Sequence, residues 1–415
     1  MKEKPCEQYD LIILGGGPAG LAAAIYGGRS KLKTLLLEKG TPGGRAYTTR
    51  EIVNYAGIAS ASGPKLTEAM VEHVKGFGVD IRREEATSTE LQGIIKKIET
   101  RKHVYEAKAV ILAMGTAPRL LGIPGEKEFT GRGVAYCATC DAQFFQDQTV
   151  VVVGSGDQGI EESLYIAKYA REVFIVVLHE EGILDCNRQS AETAMTHPKI
   201  KFIWNSILED IQGGENVNGV HIKNIQTGSV TLVDCQGVFL FVGMVPNTGL
   251  VRESVRTSQQ GWILTDEQME TNCPGVYAAG DIREKYLRQI CTSVADGAIA
   301  ATAAQRYLEE MEYFENRILQ SSAPVMVGFW TPDFSHSLNS LREIEEINQS
   351  LETPLKFFEI DVSRKKTLAR YFAIDLKEEQ PAAALVLRKG KILFRADLGD
   401  LDSLAVSCNT LLGMI

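Results

Sequence analysis

No uninterrupted apolar stretch in the 415-residue sequence reaches the length of a membrane span. The segment Met1–Asp10 is polar and lacks the apolar region of a secretory signal. No dense Lys/Arg run occurs, and a formal net charge of -9 argues against a nucleic-acid surface. Neither a membrane nor a nucleic acid is therefore expected as a partner. A dense disulfide framework is also missing. The eight cysteines are Cys6, Cys137, Cys140, Cys186, Cys235, Cys273, Cys291 and Cys408, with one C-x-x-C among them. A zinc site would need a second Cys/His pair at similar spacing. None is visible, and His103, His197, His221 and His336 show no metal spacing, so no metal is expected. Such cysteine usage suits a reducing cytoplasm, where a lone C-x-x-C is catalytic or metal-binding. With 44% apolar and 23% charged residues the chain reads as globular, with a length suited to about three domains.

The most informative stretch is Cys137-Ala138-Thr139-Cys140-Asp141. Two thiols at this spacing can close into a small reversible disulfide, and thiol exchange needs only an incoming thiol and access. The adjacent carboxyl of Asp141 can supply or accept the proton that each thiolate step requires. The pair lies between two glycine-rich loops, which makes it an electron relay rather than a structural staple.

The first loop follows a short apolar strand, Tyr9–Leu14, and reads Gly15-Gly16-Gly17-Pro18-Ala19-Gly20. A helix through Ala22–Ile25 and a second strand, Thr34–Leu37, follow, ending at Glu38. Strand, glycine triplet, helix, strand and acid in this order indicate a dinucleotide site. The glycines let the backbone approach a pyrophosphate, the helix N-terminus favours its charge, and the acid suits a ribose. The pattern recurs with strand Thr149–Val153, loop Gly154-Ser155-Gly156-Asp157-Gln158-Gly159, a helix from Ile160 and strand Val173–Leu178. A tight turn binding nothing is the alternative there. Between the repeats, Lys108–Ala113 reads as a strand running into Met114-Gly115-Thr116-Ala117-Pro118-Arg119, whose Gly and Pro suit a crossover between domains. Val238–Val242 and Gly243–Asn247 read as the return crossing, followed by a buried strand, Gly275–Ala279, and an alanine-rich helix, Thr292–Leu308. Met311–Ser322 is expected to be a linker. Beyond it, strand Val325–Phe329, an amphipathic helix through Leu338, Leu341, Ile344, Ile347 and Leu351, strand Leu355–Ile360, helix Thr367–Phe372, a hairpin about Lys389-Gly390 and helix Leu401–Leu412 form a separate small α/β unit.

Over residues 8 to about 315 the chain resembles the low-molecular-weight thioredoxin reductases. The first loop, with Gly15, Gly17, Pro18, Ala19 and Gly20, resembles the family's FAD loop. Glu38-Lys39-Gly40 with Gly43-Gly44-Arg45 resembles its second FAD segment, which usually has Gln at the position of Arg45. Asn54-Tyr55-Ala56-Gly57 resembles its Asn-Phe-Pro-Gly, Gly280-Asp281 its FAD-binding Gly-Asp, and Arg288-Gln289-Ile290 the segment beside the isoalloxazine. The Cys137–Asp141 stretch is a full match. The resemblance implies an α/β fold of two Rossmann-like, three-layer domains. Residues 1–117 and 246–315 would form a discontinuous FAD-binding domain, and 118–245 a second nucleotide-binding domain carrying the C-x-x-C. Residues 316–322 would be a linker, and 323–415 a degenerate thioredoxin-like α/β domain. It implies Cys140 as the flavin-proximal sulfur, Cys137 as the thiolate that attacks an external disulfide, and Asp141 as acid/base. It further implies hinges near Thr116 and Gly243, a homodimer, and thioredoxin or another disulfide protein as partner. Cys291 is expected close to the flavin.

The second loop departs from the family. His-Arg-Arg, with a further Arg beyond, holds the 2′-phosphate of NADPH there. Here Leu178-His179-Glu180-Glu181-Gly182-Ile183-Leu184-Asp185 puts acids in those places. Losing two charge-assisted hydrogen bonds costs at least ~3 kcal/mol, roughly two decades of affinity. NADPH is thus expected to be a poor ligand. Three readings stand. Gly154, Gly156 and Gly159 with Glu180 accept NADH; or electrons bypass nicotinamide, as in the ferredoxin-dependent and diflavin-linked relatives; or this domain binds no nucleotide. His179 is read as incidental, and Trp204 and Trp262 as packing residues.

From about Ala323 the chain resembles thioredoxin more weakly. Phe329-Trp330 matches the Phe-Trp before that protein's C-G-P-C, but Phe334 and Ser337 stand where the cysteines would be, and Pro381 lies near its cis-proline. This tail is therefore not expected to run dithiol exchange in the usual way. It is expected to dock the partner, mask the Cys137/Cys140 pair or enlarge the dimer, with Cys408 buried in its last helix. A flavin-based redox sensor signalling through the tail is the reading from another class.

Overall fold

The computed structural model describes residues 4–49, 52–397 and 401–413. Its first sheet has seven strands. Cys6–Leu14 lies at the centre, parallel to Thr34–Leu37 on one side and Val104–Leu112 on the other, with Leu14 facing both Leu37 and Leu112. Leu11 to Leu14 are at most 2% exposed, because both faces of this parallel sheet are covered. Helix α1 (Pro18–Arg29) follows the central strand, its Pro18 at a helix start where no backbone N–H is needed. Further along come α2 (Gly44–Tyr47), α3 (Gly63–Lys75) and, after the sheet, α4 (Ala138–Asp141) and α5 (Asp157–Ile166). Val276–Ala278 returns from far down the chain to pair with Val104–Leu112.

The second sheet has five parallel strands in the order Ile200–Ile203, Glu172–Val176, Thr149–Val153, Gly237–Leu240, Val134–Ala135. Its strand Glu172–Val176 stops short of the expected Leu178, which is 54% exposed. Helix α6 (Arg188–Met195) joins this unit. Thr116–Pro118 pairs antiparallel with Met244–Pro246, so the outgoing and returning crossings are laced together. Two antiparallel additions were not anticipated: Ala86–Glu90 with Lys96–Thr100, and the meander Ser206–Gly213, Val217–Asn224, Val230–Asp234.

Helix α7 (Ile290–Phe314) packs along α1 through small residues. A Cβ on Gly297 would come within 2.1 Å of the Ala19 carbonyl oxygen, so glycine is what permits the approach. The helix outruns its expected end, and the expected linker is corrected here. Met311 and Phe314 are helical and 1% exposed, and a π-helical turn, Glu315–Leu319, continues the chain with Ile318 at 1%. The spacing of these three apolar residues makes a stripe, which the intervening glutamates hide in a plain reading.

The last unit is a four-stranded sheet in the order Lys356–Asp361, Val325–Trp330, Ala382–Arg388, Lys391–Asp397. The first pair is parallel and the rest antiparallel. Helices α8 (Ser337–Gln349), α9 (Lys366–Tyr371) and α10 (Leu401–Gly413) complete it. The hairpin turns at Lys389 and Gly390, both at positive φ. One sheet face buries Met326, Val386, Leu404 and Cys408. The other shares a single core with α7, where Phe314 meets Phe372 at 5.2 Å between ring centroids. Among the described residues no peptide is cis, that before Pro381 included.

Candidate active site

The first glycine loop is shaped by contacts that only glycine tolerates. Gly15 sits at φ +103°, with the Ala113 carbonyl oxygen 2.4 Å from where a Cβ would be, and Gly20 would clash with the Gly15 oxygen at 1.9 Å. Gly17, between them, opens onto space, its nearest neighbour 3.9 Å away. It is the N-cap of α1 and brings no side-chain cap, so the first backbone N–H groups of the helix are free of one. Glu38 accepts from the Gly16 N–H at 2.7 Å and the Gly40 N–H at 2.8 Å, which fixes its carboxylate at the rim of the loop. Pro18 and Ala19 begin α1, Lys39 is exposed beside Glu38, and Gly44 and Arg45 begin α2.

Distant segments converge on this loop. Gly280, at φ +80°, packs so closely that a Cβ would meet Ala19 Cβ at 2.8 Å. Asp281 accepts from the Ser293 hydroxyl. Asn54 donates to Gln289 at 3.1 Å, uniting two segments that lie 235 positions apart. Gln289 also caps α7, which starts at Ile290. The Arg288 guanidinium lies 3.8 Å over the Trp262 ring, and its Nε is buried without a hydrogen-bond partner. Trp262 is therefore more than a packing residue: it is the platform for this arginine. Sequence reasoning also missed Asp296, which is 6% exposed and accepts from the Gly280 N–H at 3.0 Å and from Lys285 Nζ at 2.7 Å. Only its place among the small and apolar residues of the first half of α7 could have flagged it. An open helix N-terminus, a fixed carboxylate at a strand end and an orphaned buried arginine Nε fit the pyrophosphate, ribose and ring of an FAD.

The second loop repeats the construction. Gly154, at φ +126°, would clash with the Phe241 oxygen at 2.3 Å, and Gly159 with the Gly154 oxygen at 2.3 Å, while Gly156 is open to 3.9 Å. Its mouth differs. Asp185 accepts from the Ser155 hydroxyl at 3.0 Å, and the same oxygen lies 2.7 Å from His179 Nε2. Its backbone N–H donates to the Ser155 carbonyl oxygen. His179, expected to be incidental, is half of this latch. The bonds from His179 and then Ser155 hold the Asp185 carboxyl below its ordinary value. Glu180 and Glu181 are exposed on the same segment.

Between the loops stands the C-x-x-C. Cys137 is disulfide-bonded, and Cys6, Cys186, Cys235, Cys273, Cys291 and Cys408 are free. Cys137 is the N-cap of α4, extended at φ -146°, and its carbonyl accepts from the Asp141 N–H. Cys140 lies within α4, its side chain outside the described ones. Burial pushes the Asp141 carboxyl up, which favours its protonated form. Helix α5 packs on α4, and burial pushes the carboxyl of its Glu162 up. Among the described residues no His/Cys/Asp/Glu group could hold a metal ion, and no helix is long and apolar enough to cross a membrane.

Residues 9–297 match the pyridine nucleotide-disulphide oxidoreductase family. The chain is 47% identical over 308 residues to a thioredoxin reductase of Peptoclostridium acidaminophilum, covering 72% of this chain and 97% of that protein. The chain belongs to the thioredoxin reductase family. It is 40% identical to the thioredoxin reductase of Bacillus subtilis, with 73% of this chain and 96% of that one covered. The crystal structure of Lactococcus lactis thioredoxin reductase in its FR conformation superposes with a TM-score of 0.66 at 42% identity, covering 73% of this chain and 99% of that one. The family is one of FAD-dependent disulfide oxidoreductases, and this member is an enzyme of that class.

Proposed function

We propose that this enzyme passes two electrons from FAD to a Cys137/Cys140 disulfide and on to a disulfide of a second protein, thioredoxin or another, with NADH rather than NADPH as donor. The observation that carries this reading is the disulfide-bonded Cys137 at the start of α4, which packs against α5 between the two glycine loops. FAD, when bound, supplies two electrons at a time. The chain's own residues do the rest. Glu38 orients a ribose at the loop rim, and Arg288, steadied on Trp262, presents a buried donor. As the disulfide opens, Asp141 gives a proton to one sulfur, and Cys137, at a helix N-terminus, becomes the attacking thiolate. Cys140 is the flavin-proximal sulfur in this scheme. The laced crossing at Thr116–Pro118 and Met244–Pro246 supplies the hinge, with Gly243 at φ +98° beside it. A cytoplasmic homodimer is the accompanying expectation, read by sedimentation velocity.

Anaerobic titration of the flavoprotein with NADPH, NADH and reduced ferredoxin tests the donor. Rapid bleaching by micromolar NADPH would overturn the reading of Glu180, Glu181 and Asp185. One observation favours a nicotinamide-independent donor as second reading. Asp185, already engaged with Ser155, holds a carboxylate where a pyrophosphate would approach the second loop. Bleaching by ferredoxin alone would select it. For the relay, Cys137→Ser should keep a flavin–thiolate charge-transfer band that Cys140→Ser lacks, and identical spectra would undo the assignment of the sulfurs.

The tail is proposed as a degenerate thioredoxin-like domain. Its strand order, with one parallel and two antiparallel pairings, supports this. Ser337 is buried, accepts from the Thr331 N–H at 2.9 Å and donates to the Pro381 carbonyl, so a fixed hydroxyl occupies the place of a thiol. Failure of the dithionite-reduced protein to reduce any thioredoxin, together with a redox-dependent tail contact, would favour a sensor instead.

A further inference from the structure

Two cations share one carboxylate inside the first unit, and the proposed electron path makes no use of them. Asp296, on α7, is 6% exposed. Its Oδ2 accepts from Lys285 Nζ at 2.7 Å and from the Gly280 N–H at 3.0 Å, and its Oδ1 lies 3.5 Å from Arg283 Nη1. The side chains of Lys285 and Arg283 are 7% and 14% exposed. Taking such charges out of water is costly, and a buried ion pair repays it only with close geometry and further hydrogen bonds. Both are present here. Arg283 also donates to the Thr265 hydroxyl at 2.8 Å, and its carbonyl oxygen accepts from Arg288 Nη2. The cluster stands where α7, the start of α1 and the turn Gly280–Ile282 converge. A Cβ on Gly280 would meet that of Ala19 at 2.8 Å, and one on Gly297 would meet the Ala19 carbonyl oxygen at 2.1 Å. Ser293, about one turn earlier on α7, donates to Asp281 Oδ1 at 3.2 Å. The helix therefore grips this turn twice, by the backbone of Gly280 and by the side chain of Asp281.

We propose that Asp296 is a positioning residue for the flavin: clamped by Lys285 and Arg283, it fixes the Gly280–Asp281 turn against the first glycine loop, on the reading of that loop as the FAD site. It acts through the Gly280 N–H. Gly280 is at φ +80° and brings no side chain of its own to hold the turn. From there to Arg288 the chain exposes Glu284, Tyr286 and Leu287, while Arg283 and Lys285 turn inward onto Asp296. One carboxylate thus ties the Gly280–Asp281 turn to the segment that delivers Arg288 and Gln289. A neutral acceptor would keep the Gly280 bond and lose the grip on both cations, and an apolar side chain would lose all three contacts.

The test is the rate of FAD release from the holoprotein on dilution, read as the rise in flavin fluorescence. Asp296→Asn keeps the shape and an acceptor for Gly280 but removes the charge, and release should quicken roughly ten- to a hundredfold. Lys285→Met should quicken it about tenfold. The double variant should release FAD no faster than Asp296→Asn, because the two groups act as one unit. Lys108→Met is the control. It breaks the Lys108–Glu315 pair beyond the end of α7, so it should lower the melting temperature and leave release at the wild-type rate. Wild-type release from Asp296→Asn and Lys285→Met overturns the proposal, and so do additive effects in the double variant. Equal acceleration in Lys108→Met also overturns it, because general loss of stability would then account for every variant. Should Asp296→Asn fail to fold, Lys285→Met decides alone, and a wild-type rate there sinks the idea. Wild-type protein that neither carries FAD nor takes it up would instead bring down the reading of the loop itself.

Discussion

The two glycine loops are near copies in backbone and opposites at the mouth. In both, the first glycine is forced by a carbonyl of the neighbouring strand, at 2.4 Å and 2.3 Å, and the last by the carbonyl of the first, at 1.9 Å and 2.3 Å. In both, the middle glycine faces space, 3.9 Å from its nearest neighbour. In the first, Glu38 is bonded to the loop's own backbone N–H groups and leaves the helix end clear. In the second, Asp185 is drawn over the loop by Ser155 and His179, with Glu180 and Glu181 beyond. Backbone makes a loop able to receive a dinucleotide, and the side chains at its rim decide which anion can approach.

The largest test of this contrast places an alanine at the last glycine of each loop. Gly20→Ala drives a Cβ into the Gly15 oxygen and should abolish bound-flavin absorbance. Gly159→Ala should leave flavin content unchanged and remove only reduction by NADH; parallel loss of flavin would break the separation of roles. Reversing the second mouth comes next. Glu180→Arg with Glu181→Arg should raise NADPH affinity by roughly two decades, measured as flavin bleaching at limiting NADPH. Asp141→Asn should slow turnover about a hundredfold, with the flavin spectrum intact. Its folded carboxyl is raised, so its contribution to stability is present below the unfolded value and lost as pH rises through the folded one. The variant should melt with less dependence on pH between those two values, and an unchanged slope would argue against the burial. The smallest effect belongs to Asp185. Its carboxyl is lowered, so the latch stabilises above the unfolded value and is lost as pH falls through the folded one. Asp185→Asn should erase a slight acid-side drop in melting temperature, small because the group is exposed.

Much of this architecture was readable from residues. Thr34–Leu37 and Thr149–Val153 appear with the expected ends, because strands buried on both faces are written as apolar runs between glycines. The meander from Ser206 to Asp234 was not legible, since its outer strand Val230–Asp234 is largely exposed and its residues are mixed. The end of α7 was missed because Glu309, Glu310 and Glu312 disguise the stripe of Met311, Phe314 and Ile318. The latch at Asp185 and the platform at Trp262 each join segments far apart in sequence. No local pattern encodes such pairs.

The core shared by α7 and the C-terminal sheet has a consequence for synthesis. Met311, Phe314 and Ile318 emerge from the ribosome well before Leu385 and Leu387, which share their core. At about 5–20 residues per second, the segment to the end of the last helix takes on the order of 5–20 s to translate. For that interval a finished flavin-loop unit carries an open apolar stripe, a natural landing place for a chaperone and a reason for this chain to depend on one when it is overproduced.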